Sequence, residues 1–158
     1  MTTQTTQTTL ERLTSDLTTS MKARDTFTTG TLRQIIGAVR TAEKSGSVAR
    51  DFSDDEVQKV LASEVKKRRE SAQIFADAGA DDRAANETAE ADLIETYLPA
   101  SLSPEQLDAL VADAIATTGA TGPKDMGTVM KAVNAAAAGM GRVDGKVLSQ
   151  VVRTALAG

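Results

Sequence analysis

The chain contains no cysteine, no histidine and no tryptophan; one tyrosine and three phenylalanines are its whole aromatic content. Without cysteine there is no thiolate nucleophile, no disulfide and no thiolate-held zinc or iron–sulfur cluster. Without histidine the Ser-His-Asp and Cys-His arrangements are ruled out. Acid–base chemistry is left to Asp, Glu, Lys or Tyr97. With 3% aromatic residues, base stacking is a poor route to nucleic-acid recognition. No apolar run approaches the roughly 20 residues of a membrane span. The opening Met-Thr-Thr-Gln stretch is neither basic nor apolar in the manner of a secretory leader. The expectation is a binding or scaffold protein of the reducing cytoplasm, with no cofactor, no metal site and no membrane partner.

Charge is unevenly spread over the 158 residues, whose net formal charge is −4. Residues 1–50 carry seven basic and four acidic groups, and residues 51–102 carry six basic and thirteen acidic. Residues 103–119 add three acids, whereas residues 120–158 carry five basic and two acidic groups. An overall acidic chain is not a general nucleic-acid coat, but its C-terminal segment is locally basic.

The apolar pattern is helical almost throughout. Leu10, Leu13, Leu17 and Met21 recur at helical spacing, with Thr8 and Glu11 placed to cap them. Leu32, Ile35, Ile36 and Val39 mark a second helix that stops near Gly46. Ser53-Asp-Asp-Glu56 opens a third, running through Val57, Leu61 and Val65 to Gly79; at about 25 residues it would be roughly 38 Å long. A fourth runs from about Asp82 to Leu98 and stops at Pro99. Ser103 and Pro104 start the next helix as N-cap and first residue, and two more follow around Val129 and Leu148. No stretch alternates with period 2. The fold expected is all-α: an N-terminal helical domain of about four helices over residues 10–98, then a small three-helix bundle over 104–158. Residues 99–103 read as a linker and the Thr/Gln-rich residues 1–9 as disordered.

Three motifs have more than one reading. Gly139-Met-Gly141-Arg-Val-Asp-Gly145-Lys146 resembles part of a phosphate-binding loop but fails its pattern. Met140 stands where a Gly is needed, Val147 where Ser or Thr is needed, and a helix rather than a strand precedes it. The open readings are a flexible turn ending at an Asp144 cap, or a local anion site formed by Arg142, Lys146 and the N–H groups of a helix start. Glu64-Val-Lys66-Lys67-Arg68-Arg69-Glu70 is a basic run on the long helix. It reads as a solvated face with Glu64–Arg68 and Lys66–Glu70 pairs, or as a partner-binding strip using Lys66, Arg68 and Arg69. Asp51, Asp54, Asp55 and Glu56 fail as a calcium loop, since Glu56 and Ala62 occupy the positions of its Gly and bidentate Glu.

Taken in order, several segments resemble one family. They are Thr31-Leu-Arg33, Glu64 to Ser71 with Phe75 and Ala78-Gly79, Ile94-Glu-Thr-Tyr-Leu-Pro99, Lys124-Asp-Met-Gly127, and Gly141-Arg-Val-Asp-Gly-Lys146. The pattern, from about residue 10 to 156, is similar to the YqeY family of GatB/YqeY proteins. The resemblance implies an all-helical protein whose small C-terminal domain is like the tail of the B subunit of the tRNA-dependent amidotransferase, a tail understood to contact tRNA. It also carries a family-level activity, carbon–nitrogen ligation with glutamine as amido donor. No residue pattern in this chain supplies the machinery for that step. The cations after residue 103, namely Lys124, Lys131, Arg142, Lys146 and Arg153, are the candidate RNA contacts. The leading expectation is a non-catalytic tRNA-binding or accessory module. The alternative is an adaptor docking on an amidotransferase or another translation complex.

Overall fold

Side chains placed at the helix starts set most of the boundaries. A computed structural model of the protein describes residues 6–157; the disorder expected for residues 1–5 lies outside them. Thr8 and Glu11 form a capping box, and helix α1 runs Thr9–Lys22. Residues 8 and 9, expected as part of the disordered start, therefore begin a helix, and the Thr9 N–H reaches Asp54 Oδ1 at 2.7 Å. Asp25, a cap the sequence reading passed over, accepts from the Thr28 N–H and starts α2, Thr26–Lys44. Ser53 and Glu56 form the anticipated box at the start of α3, Asp54–Asp77. Gly79 follows it at φ +77°, a left-handed turn that a Cβ would strain. Helix α4 spans Asp81–Glu95.

Ser103 and Gln106 form a third capping box, with Pro104 as the first residue of α5, Pro104–Thr118. A single 3-10 turn, Pro123–Asp125, leads into α6, Met126–Ala136, and α7 spans Gly145–Ala157. The fold is all-α. Among the described residues there is no strand, only one isolated bridge between Ser101 and Arg142.

The chain divides into two compact units, Met1–Leu98 and Pro99–Gly158, each with its own core. The first core gathers Leu13, Leu32, Ile35, Val39, Leu61 and Ile94 from its four helices, with Tyr97 as its one buried aromatic. Met21, expected on the apolar face of α1, is exposed; Ser20 is buried instead and bonds Thr29 across to α2. The second core packs Leu107, Val111, Val129, Val133, Leu148 and Val152 from α5, α6 and α7. Residues 99–103, read as a linker, are built into this second unit. Leu102 is buried in its core, its N–H donates to Arg142 O at 2.8 Å, and the Arg142 N–H donates to Ala100 O at 3.1 Å. Gly141 sits so close to this strip that a Cβ would lie 2.8 Å from Ala100 O, which is why no larger residue fits there.

The start of α3 carries a pH dependence. Arg50 holds Glu56 in a bidentate pair at 2.9 and 2.6 Å. With the Ser53 N–H it pulls the Glu56 carboxyl from the ordinary 4.5 down to about 2. A depressed carboxyl stabilises the fold above its unfolded pKa and loses that contribution as pH falls through the folded value. Glu56→Gln is therefore expected to lower the urea midpoint at pH 7. The difference from the parent should shrink between pH 4.5 and about 2, followed by circular dichroism.

Candidate nucleic-acid interface

The basic run on α3 is the densest group of cations in the chain, and the fold uses most of it internally. A helix turns about 100° per residue, so four consecutive cations point in four directions. Arg68 points inward and is only 8% exposed. Its Nη1 donates to Glu64 Oε2 at 2.7 Å, its Nε to Glu90 Oε2 on α4 at 3.0 Å, and its Nη2 to Gln34 Oε1 on α2 at 2.8 Å. Burial by itself would push the Glu64 carboxyl up, but the Arg68 and Lys67 donors outweigh it and hold it below the usual range. Arg69 reaches Asp92 at 2.8 Å and Glu95 at 3.2 Å on α4. Lys67 pairs with Glu64 at 3.1 Å.

The partner-binding strip is corrected accordingly. Of Lys66, Arg68 and Arg69, only Lys66 is exposed without an ion pair among the described residues, and the Lys66–Glu70 pair is not formed. Arg68 and Arg69 already hold carboxylates of this chain, because α4 brings its acidic face against them. The Glu64–Arg68 pair was visible from i,i+4 spacing. Gln34 and Glu90, which lie 34 and 22 residues away in sequence, gave no such signal.

Tyr97, the one tyrosine available for proton transfer, is buried, and its hydroxyl donates to Asp16 Oδ2 at 2.5 Å. Burial and that carboxylate push its pKa well above the ordinary value, while Arg12 stacks over the ring at 5.0 Å. A phenol held this way keeps its proton at neutral pH and serves as a strut between α1 and the end of α4.

The second unit treats its charges differently. Every ion pair among the described residues lies in the first unit. The acids nearest the cations bond backbone instead. Asp125 accepts from the Thr121 N–H at 3.0 Å, which lowers its pKa. Asp144 Oδ1 accepts from the N–H groups of Lys146 and Val147 at 2.9 and 3.2 Å. That carboxylate occupies the start of α7, so the anion site imagined there is already filled by the protein's own cap, and the turn reading stands.

Arg142 is likewise committed. Its Nε donates to Pro99 O at 3.1 Å and its Nη2 to Ser101 Oγ at 3.2 Å. It ties the strip 99–102 to the turn before α7. Lys124 on the 3-10 turn, Lys131 on α6, and Lys146 and Arg153 on α7 are exposed, with no ion pair among the described residues. They stand on three elements and make no hydrogen bond to one another. The second unit has no aromatic residue to stack on a base. No group of three or more Asp or Glu poised for a metal occurs among the described residues, and no helix there is long and apolar enough to cross a membrane.

Removing Arg68 tests the inward reading of the basic run. Arg68→Ala leaves Glu64 and Glu90 partly buried without their cation, an expected cost of about 3 kcal/mol in urea unfolding. The triple change Arg68→Met, Glu64→Gln, Glu90→Gln should recover much of that loss. A loss under about 0.5 kcal/mol for Arg68→Ala would mark the residue as surface charge.

The sequence profile described as Yqey-like protein matches residues 10–156 of this chain. A curated relative, Altered inheritance of mitochondria protein 41, mitochondrial, from Meyerozyma guilliermondii, is 37% identical over 90 residues. Those residues are 57% of this chain and 46% of the relative, so the match spans less than half of the relative's length.

Proposed function

This chain belongs to the YqeY family, and we propose that its C-terminal unit, Pro99–Gly158, is a non-catalytic tRNA-binding module related to the tail of the tRNA-dependent amidotransferase. The observation that carries this reading is the set of exposed cations without ion pairs, Lys124, Lys131, Lys146 and Arg153, in a unit whose neighbouring acids Asp125 and Asp144 bond backbone. Four free cations favour a modest, sequence-independent grip on phosphates. Arg142 belongs to the scaffold rather than to the contact set. The amide-transfer step is assigned to other subunits of such an assembly, since this chain has neither cysteine nor histidine. We place the protein in the cytoplasm; the name of the curated relative places that relative in mitochondria.

Fluorescence anisotropy with labelled tRNA tests the module. Four phosphate contacts imply on the order of a 100-fold loss of affinity between 50 and 200 mM salt. Reversing Lys124, Lys131, Lys146 and Arg153 to Glu should abolish both the binding and most of the salt slope. Equal binding by parent and variant would end the proposal.

A second reading, an adaptor that docks on an amidotransferase or translation-related protein, is supported by the α3–α4 pair. Arg68 is the last buried residue of α3 and Ala91 the first of α4. The stretch between them carries Glu70, Asp77, Asp81, Asp82 and Glu87 with Ile74 67% exposed. A protein partner that survives nuclease treatment and is lost with Ile74→Ser would favour this reading; one unaffected by the change would oppose it.

A further inference from the structure

Between helices α5 and α7 of the second unit lies an open groove with an aliphatic floor. Val111 and Ile115 supply one wall, and Val147 and Val151 the other. Val147 is 40% exposed although its neighbour Leu148 is fully buried. The groove is therefore an open face of the second core, with Val111 buried at its base and Val147 exposed at its rim. Its outer edges carry opposite charge. Asp108 lines the α5 side; the next exposed rows are Glu105 on α5 and Lys146 with Arg153 on α7, by helical spacing.

The walls restrict what can occupy the groove. Both are helices whose backbone groups are satisfied internally, so there is no strand edge for an extended peptide to extend. The unit has no aromatic residue, so neither a proline-rich helix nor a stacked base finds its usual platform. An apolar trough between two helices is the geometry that receives a third helix through residues at i, i+3, i+4 and i+7.

We propose that the α5–α7 groove is a docking site for an amphipathic helix of a partner protein, seated by an aliphatic stripe, with basic residues toward Asp108 and Glu105 and acidic residues toward Lys146 and Arg153. The opposite charge of the two edges sets the direction in which the helix lies, because a reversed helix would place like charges together along both edges. The site shares Lys146 and Arg153 with the tRNA reading but adds the apolar floor, which that reading does not need.

The test uses the full chain and a labelled 18-residue helical peptide with Leu at i, i+3, i+4 and i+7, Lys on one flank and Glu on the other. Parent protein should bind it in anisotropy with weak salt dependence, and amide shifts should concentrate at Val111, Ile115, Val147 and Val151. The neutral double variant Ala112→Gln, Val147→Gln changes two exposed positions. It should keep its circular dichroism and its tRNA binding while peptide affinity falls ten-fold or more. Absence of peptide binding, equal binding by the variant, or shifts outside the groove would overturn the proposal. So would concentration-dependent dimerisation in sedimentation that the variant abolishes, since the occupant would then be a second copy of this chain. Reversing only Lys124 and Lys131, which stand on the 3-10 turn and α6 outside the groove lining, should weaken tRNA binding while peptide binding stays at the parent's level, and that result separates the two sites.

Discussion

The buried guanidinium of Arg68 is the interaction on which the first unit depends. Its planar fork takes acceptors from three helices at once: Glu64 on α3, Glu90 on α4 and Gln34 on α2. A fully apolar contact tolerates sliding, whereas this one is satisfied only when Glu90 stands opposite Arg68, so it sets the register of α3 against α4. Beyond it the two helices continue as an alanine-rich pair with no buried side chain of their own, steadied nearby by Arg69 on Asp92 and Glu95. Tyr97 and Asp16 make a similar polar strut at the other end of the unit, where α4 finishes against α1.

Electrostatics divides the molecule along the same lines as the cores. In the first unit the cations of the α3 run are largely neutralised by partners on the same chain, while cations elsewhere in it, such as Lys22, Arg24 and Lys59, stay exposed. In the second unit the acids nearest the cations are occupied with backbone N–H groups, which leaves most cations facing solvent without a counter-charge. The chain's net charge of −4 lies in the first unit, while Pro99–Gly158 is balanced, with five basic and five acidic residues. Membership of the YqeY family gives that arrangement its context, and the groove between α5 and α7 gives the same unit an apolar surface of a different kind.

Much of the helical plan was legible from local signals. Thr8/Glu11, Ser53/Glu56 and Ser103/Gln106 each announce a helix start through residues three apart, and each forms its box. The apolar rows through Leu32, Leu61 and Leu148 name core residues correctly. The candidate site was less legible. Arg68 and Arg142 look, in one dimension, like any other cations in a basic segment. One is buried and the other is folded back on Pro99 and Ser101. Apart from Glu64, the side chains and the one carbonyl that accept from them lie 22 to 43 residues away, too far for local spacing to signal.

By itself the sequence determined that this is an all-α chain with two apolar clusters, no cysteine or histidine chemistry and a basic C-terminal stretch. These properties follow from composition and from interactions three or four residues apart. Tertiary structure decided which cations remain available, that residues 99–102 belong to the second unit, and that Asp144 fills the helix start once considered for an anion. Each of those outcomes depends on which groups meet across helices and turns, and a guanidinium or carboxylate is taken out of play only when its partner arrives from elsewhere in the fold.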